Sequence, residues 1–265
     1  KNSYSGTKED DRIFLEKLAK EGLKKRFGLK NTVAEDRLKK ELKIINDLGF
    51  NSYFLINWDI IRYARLREYY YVGRGSGANS LVAYCLFITN VNPIELNLYF
   101  ERFLNPHRSS PPDFDIDFSH TDRDDVMDYI FRRYGKNHVA LLGAYPKFKH
   151  DSTIRRLGKV FGLPDKEIVD LQKTGRATDN NGRLILRYEN LMQGFPSYPS
   201  LHPCGMLISQ EPIVNYVSLF MPPKGLPTAH IDMFSAEDIG LNKFDVLSQR
   251  GLSHIREAQG LIKSN

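Results

Sequence analysis

The chain has 265 residues, of which 41% are hydrophobic, and carries 38 Lys and Arg against 32 Asp and Glu. This length and apolar content predict one large folded domain or a domain with an insertion. The sequence has no apolar run long enough for a membrane helix and no signal-peptide layout in KNSYSGTKEDD, so we expect a cytoplasmic protein without a membrane partner. The net charge of +6 favours a polyanionic partner.

Helical spacing of apolar residues predicts three helices near the start of the chain, over residues 10–28, 33–48 and 53–67. The first begins with acidic residues and ends with basic residues before Gly28, as the helix dipole favours. The third contains an aromatic stripe that includes Phe54 and Trp58, and we expect this stripe to lie in the core and not to bind a ligand.

A glycine-rich turn follows at residues 72–81, VGRGSGANSL, and leads into an apolar segment, residues 81–88, that we expect to be helical. Glycines let backbone N–H groups approach a phosphate closely, and a following helix N-terminus adds positive potential. The turn matches neither the Walker pattern nor the dinucleotide pattern. Taken alone it indicates an ordinary tight turn.

The segment PPDFDIDF, residues 111–118, alternates acidic with apolar residues and is the first clear strand. The alternation places Asp113, Asp115 and Asp117 on one face. Such a row of oxygen ligands can hold a hard divalent ion such as Mg²⁺, and it can equally be the solvated face of an edge strand. An EF-hand loop is excluded because Phe118 and Asp124 stand where that loop needs Gly and Glu.

The second half of the chain begins with a helix predicted over residues 122–134. Composition changes over residues 147–200, where a basic helical stretch, a polar segment at 173–184 that we expect to be a loop, and a Pro-rich stretch predict a small inserted subdomain. Strand-like runs return at residues 206–209, 213–220 and 241–247.

Two cysteines, Cys85 and Cys204, lack C-x-x-C spacing, so we expect buried thiols and not a disulfide or a zinc site. His202 has no His or Cys partner at metal-ligand spacing, and we expect it to be structural. The chain begins without Met and ends on LIKSN, from which we expect it to be a piece of a longer protein.

The last strand-like run places Lys243 and Asp245 on one face. Together, a phosphate-cradling turn, a D-x-D strand and a distant Asp on another strand are the components of two-metal nucleotidyl transfer, in which carboxylates hold two cations. Each component is weak alone, and the combination supports this chemistry.

The ordered motifs GRGS with SLVAY, FERFLNP, PPDFDIDF, GKVFGLP, HPCGMLIS and NKFDVLSQRGL resemble the palm and thumb region of the bacterial C-family replicative DNA polymerases, the DNA polymerase III alpha family. The resemblance implies an α+β fold. It implies a polymerase-beta-like nucleotidyltransferase palm, with a mixed sheet and flanking helices, interrupted by a small helical thumb. The palm would comprise residues 1–146 and 201–265, and the thumb residues 147–200.

The resemblance also assigns roles by position. Asp115, Asp117 and Asp245 match the catalytic aspartates that hold two Mg²⁺ ions, for which Mn²⁺ can substitute, whereas Asp113 matches a residue not counted among the ligands. The substrates would be a dNTP and the 3′-hydroxyl of primer-template DNA. The residues expected to bind the nucleotide are Gly73, Arg74, Gly75, Ser76, Arg108 and Lys243.

The thumb candidate carries a basic patch that would contact DNA phosphates without reading sequence, or that is a solvated helix face. The patch comprises Lys147, Lys149, Arg155, Arg156 and Lys159. The family's fingers, clamp-binding region and contacts with other replicase subunits fall outside these residues, so we expect the fragment alone to polymerise poorly or not at all. The alternatives are a DNA-binding fragment without activity of its own and a metal-dependent nuclease, which would not need the triphosphate turn.

Overall fold

The computed structural model describes residues 3–105 and 112–264. The chain divides into two compact units, the first comprising Lys1–Leu142 and Leu201–Asn265 and the second Gly143–Ser200. The assignment of these units as palm and thumb stays a prediction. Over the described ranges, no helix combines the length and the apolar character needed to cross a membrane.

Within the described residues, the first unit contains seven α-helices, and their charges and caps follow the sequence. In the first helix Thr7 accepts a hydrogen bond from the Asp10 N–H, acidic residues occupy the first turn and basic residues the last. The bounds of these helices are α1 Lys8–Phe27, α2 Thr32–Asp47, α3 Asn51–Leu66, α4 Leu81–Cys85, α5 Arg123–Tyr134, α9 Met233–Asp238 and α10 Arg250–Ser264, with α6 to α8 lying in the second unit. The helices predicted near the N-terminus and over residues 122–134 agree with α1, α2, α3 and α5 to within two residues.

A seven-stranded mixed sheet runs in the order β1-β2-β7-β4-β3-β6-β5. β2 pairs with β1 in antiparallel and with β7 in parallel orientation, and β7 pairs with β4 in antiparallel orientation. The strands are β1 Tyr71–Arg74, β2 Asp115–Ser119, β3 Val139–Ala144, β4 Ser200–Ile208, β5 Leu219–Phe220, β6 Thr228–Ala229 and β7 Lys243–Gln249. The chain is therefore mixed α/β, and the polymerase-beta-like palm stays a prediction.

Helix α3 lies against the start of β2 and β7. Its Tyr53, which is 1% exposed, stacks on Phe114 with ring centroids 5.8 Å apart and on Phe244 with centroids 5.0 Å apart. The Tyr53 hydroxyl also accepts a hydrogen bond of 3.2 Å from the Phe114 N–H. Because Phe114 follows Asp113 and Phe244 precedes Asp245, this one side chain fixes the backbone beside both acidic residues.

Two predictions about local structure are wrong. Residues 213–220 form a turn of 3-10 helix at Ile213–Asn215 and the two-residue strand β5, because Pro212 and Pro222 restrict the backbone on either side. The segment 173–184, expected as a loop, includes the start of helix α8, which Asp179 caps by accepting from the Gly182 N–H at 2.7 Å.

The second unit contains three helices, α6 His150–Val160, α7 Asp165–Thr174 and α8 Asn180–Met192. They enclose a small core of Ile154, Ile168, Leu171 and Ile185. Its two chain ends run side by side, since the Phe148 N–H donates to the Phe195 carbonyl at 2.9 Å. The second unit therefore has its own hydrophobic core, and the two ends of its chain are hydrogen-bonded to each other.

Candidate functional site

The register between β2 and β7 brings the predicted acidic residues together. Asp115 lies directly opposite Asp245 in this parallel pair. Asp113 lies two residues before the first residue of β2. One carboxylate oxygen from each of these three residues lies within 4.8 Å of the others. The structure thus brings together Asp115 and Asp245, two residues far apart in sequence that the family resemblance assigns to one site, and their role as cation ligands stays a prediction.

Lys243 neutralises part of this acidic cluster. Its Nζ lies 2.7 Å from Asp245 Oδ2 and 3.0 Å from Asp113 Oδ2. Burial lowers the pKa of Lys243, but the hydrogen bond to Asp245 and the two negative charges outweigh burial, so the pKa lies above its usual value. Burial raises the pKa of Asp245, which is 6% exposed, and Lys243 opposes that rise. The Oδ1 atoms of Asp113 and Asp245 are buried and have no hydrogen-bond partner.

Arg74 holds the other predicted carboxylate. The antiparallel register of β1 and β2 places Arg74 opposite Asp115. Its Nε donates to Asp117 Oδ2 at 2.8 Å, and its Nη1 donates to Asp115 Oδ2 at 3.1 Å. The hydrogen bond to Asp117 raises the pKa of Arg74. Asp117 therefore pairs with Arg74, whereas Asp113 lies in the cluster with Asp115 and Asp245.

Two glycines of the turn allow close packing beside this cluster. A Cβ on Gly73 would lie 2.0 Å from the Ile88 carbonyl oxygen, so only glycine fits this buried position of β1. Gly75 has a φ of +72°, and a Cβ there would lie 2.7 Å from Asp115 Oδ2. Packing alone explains both glycines, and their contact with a nucleotide stays a prediction.

A buried hydrogen-bond network next to the glycine-rich turn was not predicted from the sequence. Glu41 of α2 is fully buried and accepts hydrogen bonds from Arg37 Nε at 2.7 Å, Ser80 Oγ at 3.0 Å and the Val82 N–H at 3.1 Å. Arg37 also donates to the Asn79 carbonyl at 2.9 Å. Burial raises the pKa of Glu41, against the effect of these donors. The network anchors the C-terminal side of the turn, and an acidic residue on an amphipathic helix gives no sequence signal for it.

Three further residues named in the sequence analysis are Ser76, Arg108 and His202. Ser76 is half-buried, and its carbonyl accepts from the Asn79 side chain at 2.8 Å. Arg108 lies outside the described residues. His202 Nδ1 accepts the N–H groups of Cys204 and Gly205 at 3.3 and 2.8 Å, and burial lowers the pKa of this histidine. The ring thus binds backbone N–H groups of its own strand, β4, which agrees with the expected structural role.

All members of the predicted DNA-binding patch lie on the second unit, and all are exposed. Arg155, Arg156 and Lys159 belong to α6, and the two other lysines precede it. Arg156 lies over the rings of Phe148 and Tyr198, 5.4 and 5.6 Å from their centroids. Among the residues that the structure describes, none of the five patch residues pairs with a carboxylate, so their charge is available to a partner.

Carboxylates gathered by parallel strands, beside two basic side chains and a glycine-rich turn, define a candidate site for divalent cations and a phosphate-containing ligand. A family model described as the bacterial DNA polymerase III alpha NTPase domain matches residues 13–248. The chain therefore belongs to the bacterial DNA polymerase III alpha family. The family resemblance seen in the motifs is confirmed, and the palm and thumb assignment stays a prediction.

The similar relatives carry two kinds of name. The error-prone DNA polymerase of Symbiobacterium thermophilum is 37% identical over 92% of this chain. The DNA polymerase III subunit alpha of Bacillus subtilis is 37% identical over 97% of it, and that of Thermus aquaticus 33% over 97%. The matched region covers 25%, 25% and 24% of these relatives, so the chain spans about a quarter of their length.

Proposed function

We propose that this chain supplies the catalytic palm and thumb of a bacterial DNA polymerase, which adds deoxynucleotides to a primer 3′-hydroxyl and releases pyrophosphate. The first unit would be the palm and the second unit the thumb. One observation carries the proposal: β2 and β7 place Asp115 and Asp245 side by side, with Arg74 and Lys243 on the same carboxylates. Family membership supports the same reaction.

The residues present fit divalent cations such as Mg²⁺, with Mn²⁺ as a substitute. All side-chain ligands at the site are carboxylate oxygens, which hard cations prefer. Asp245 Oδ1 is buried without a hydrogen-bond partner, and such an orphaned anionic oxygen is costly unless a cation or water satisfies it. Asp115, Asp117 and Asp245 would hold the ions. Bound cations would polarise the reacting phosphate and activate the primer hydroxyl.

Arg74 and Lys243 would position the incoming nucleotide. Both side chains donate hydrogen bonds to anionic oxygens at this site, and a triphosphate offers the same kind of acceptor. Because Gly75 has no side chain, its backbone lies close to Asp115, at the edge of the carboxylate cluster. Gly73 and Ser76 flank that approach. The substrate would therefore lie between the turn and the acidic strands.

The exposed basic patch of the second unit would contact the DNA backbone. Its five charges have no carboxylate partner within the described part of the chain, and phosphate contacts of this kind give affinity that depends on salt and not on sequence. Other replicase subunits and the sliding clamp would bind outside these residues.

The test is primer extension by a full-length polymerase that contains this chain. We expect Asp115→Asn combined with Asp117→Asn to lower incorporation by about 100-fold or more, because the cation ligands are lost. Asp36→Asn is the matched control, since Asp36 lies on α2 with an 80% exposed side chain. Normal extension by the double variant, with a circular dichroism spectrum like that of the wild type, would disprove the proposed function.

A further inference from the structure

We propose that the second unit binds an unpaired DNA strand, whose bases stack on the exposed rings of Phe195 and Tyr198 beside the basic patch. This inference rests on the DNA contact proposed for the second unit and names the form of DNA that the contact takes. The uncopied template strand of a primer-template is DNA of this form.

Both rings lie at the surface of the second unit, three residues apart in the chain. Phe195 is 63% exposed and Tyr198 is 49% exposed. Within the described part of the chain, neither ring is among the residues that pack around the hydrophobic core of this unit. A single exposed ring is ordinary on a protein surface, whereas neighbouring exposed rings indicate a site of interaction.

Phe195 lies next to two lysines of the basic patch. The Phe148 N–H donates to the Phe195 carbonyl at 2.9 Å, and Lys147 lies opposite Pro196 in an antiparallel bridge. Lys149 follows Phe148 in the chain, so the two lysines flank the residue that is hydrogen-bonded to Phe195. Phosphates that reach these lysines would therefore bring their bases close to the Phe195 ring.

Tyr198 is in contact with a third member of the patch. The Arg156 guanidinium lies 5.6 Å from the centroid of the Tyr198 ring, and its Nη1 donates to Ser197 Oγ at 2.6 Å. Arg156 thus fixes the segment that carries Tyr198 while the ring itself stays half exposed. Pro196 and Pro199 restrict the backbone on either side, so little further ordering is needed when a base stacks there.

The charge and the aromatic rings of this unit fit the same partner. Residues 143–200 carry ten Lys and Arg against six Asp and Glu, which is complementary to a phosphate backbone. Proteins that bind single strands combine such positive charge with aromatic side chains on which bases stack. Bases of a duplex expose only their edges in the grooves, so the faces of these rings would gain little from paired DNA.

The experiment measures fluorescence anisotropy of labelled strands with the 265-residue chain. The two probes are an oligothymidine of about 12 nucleotides and an abasic strand of the same length, which has the same phosphates and no bases. We expect the wild type to bind oligothymidine at least 10-fold more tightly. Phe195→Ala combined with Tyr198→Ala should lose at least 10-fold in affinity for oligothymidine and change by less than 2-fold with the abasic strand.

Two further variants are controls. Tyr198→Phe keeps the ring and should bind like the wild type. Phe234→Ala removes a ring of the first unit that is 67% exposed, and it should also bind like the wild type. Thermal melting checks that each variant is folded.

Three results would overturn the inference. They are wild-type binding no tighter to oligothymidine than to the abasic strand, oligothymidine binding by the double variant within 2-fold of the wild type, and an equal loss with both probes. Primer extension judges the proposed function separately. A double variant of the full-length polymerase that extends a primer normally, while the 265-residue double variant keeps its oligothymidine binding, would overturn only the stacking surface.

Discussion

Replacing Gly73 by alanine should destabilise the first unit through contact with the backbone behind β1. The added Cβ would lie 2.0 Å from the Ile88 carbonyl oxygen, 2.9 Å from its carbonyl carbon and 3.2 Å from the Thr89 Cα. Non-bonded carbon atoms prefer about 3.5–4.0 Å, so the two backbone segments would have to separate by more than about 1 Å. No flexible side chain is available to move aside.

The size of the effect follows from two losses. Forcing an extra carbon into a packed interior costs about 1–3 kcal/mol. Separation would also stretch the 3.1 Å hydrogen bond from the Thr89 hydroxyl to the Gly73 carbonyl, which contributes about 1 kcal/mol. We expect the free energy of unfolding to fall by about 3 kcal/mol, which lowers the melting temperature by about 6–12 °C for a chain of this size.

Thermal unfolding followed by circular dichroism measures this change. Gly260→Ala is the matched control, because nothing lies within 4 Å of a Cβ at Gly260 in α10, and alanine should stabilise that helix by about 0.5–1 kcal/mol. A Gly73→Ala variant that melts within about 2 °C of the wild type would refute the close approach of β1 to Ile88.

Three further predictions concern the surroundings of the site. Tyr53→Phe leaves the buried Phe114 N–H without its acceptor and should cost about 1–3 kcal/mol in urea unfolding, and a change below about 0.5 kcal/mol would contradict this. Burial raises the pKa of Glu41, so its protonated form contributes stability at pH values below the unfolded pKa that is lost as the pH rises through the folded pKa. Relative to wild type, Glu41→Gln should therefore gain free energy of unfolding as the pH rises above the unfolded pKa of a glutamate, about 4.3, and a difference that stays flat with pH would exclude the effect. Arg155→Ala, in the exposed patch, should lower by about 1 the slope of log affinity against log salt for duplex DNA, with no change in sequence preference, and an unchanged slope would place Arg155 outside the DNA contact.

Several secondary-structure elements could be predicted from the sequence because the pattern that determines them is local. Period-two alternation predicted the strand that became β2, although the strand begins at Asp115 and leaves Asp113 before it. Helices with charged ends, such as α1, were also predicted, because capping and dipole effects act within a few residues. By contrast, α10 has glycines at 251 and 260 that weaken its helical signal, and it was not predicted.

The partners of the site residues were not readable from the sequence. Motif resemblance suggested Asp115 and Asp245 as companions, but only the register of β2 with β7 shows them opposite each other. Nothing in the chain order indicates that Arg74 pairs with Asp117 or that Lys243 spans Asp113 and Asp245. These contacts join segments far apart in sequence, and hydrophobic periodicity carries no information about such pairings.

The order of the strands has a consequence for how the site is made during synthesis. β2 leaves the ribosome long before β7, its parallel neighbour, and the whole second unit is translated in between. Closing so long a loop is entropically costly and slow, and domains translated first generally fold first. β2 therefore lacks its parallel neighbour β7 at a stage when the inserted unit can already fold around its own hydrophobic core. The site would be among the last parts of the sheet to form. Mutations that slow the pairing of β7 with β2 would therefore lower the yield of correctly folded protein even if they change no residue of the site.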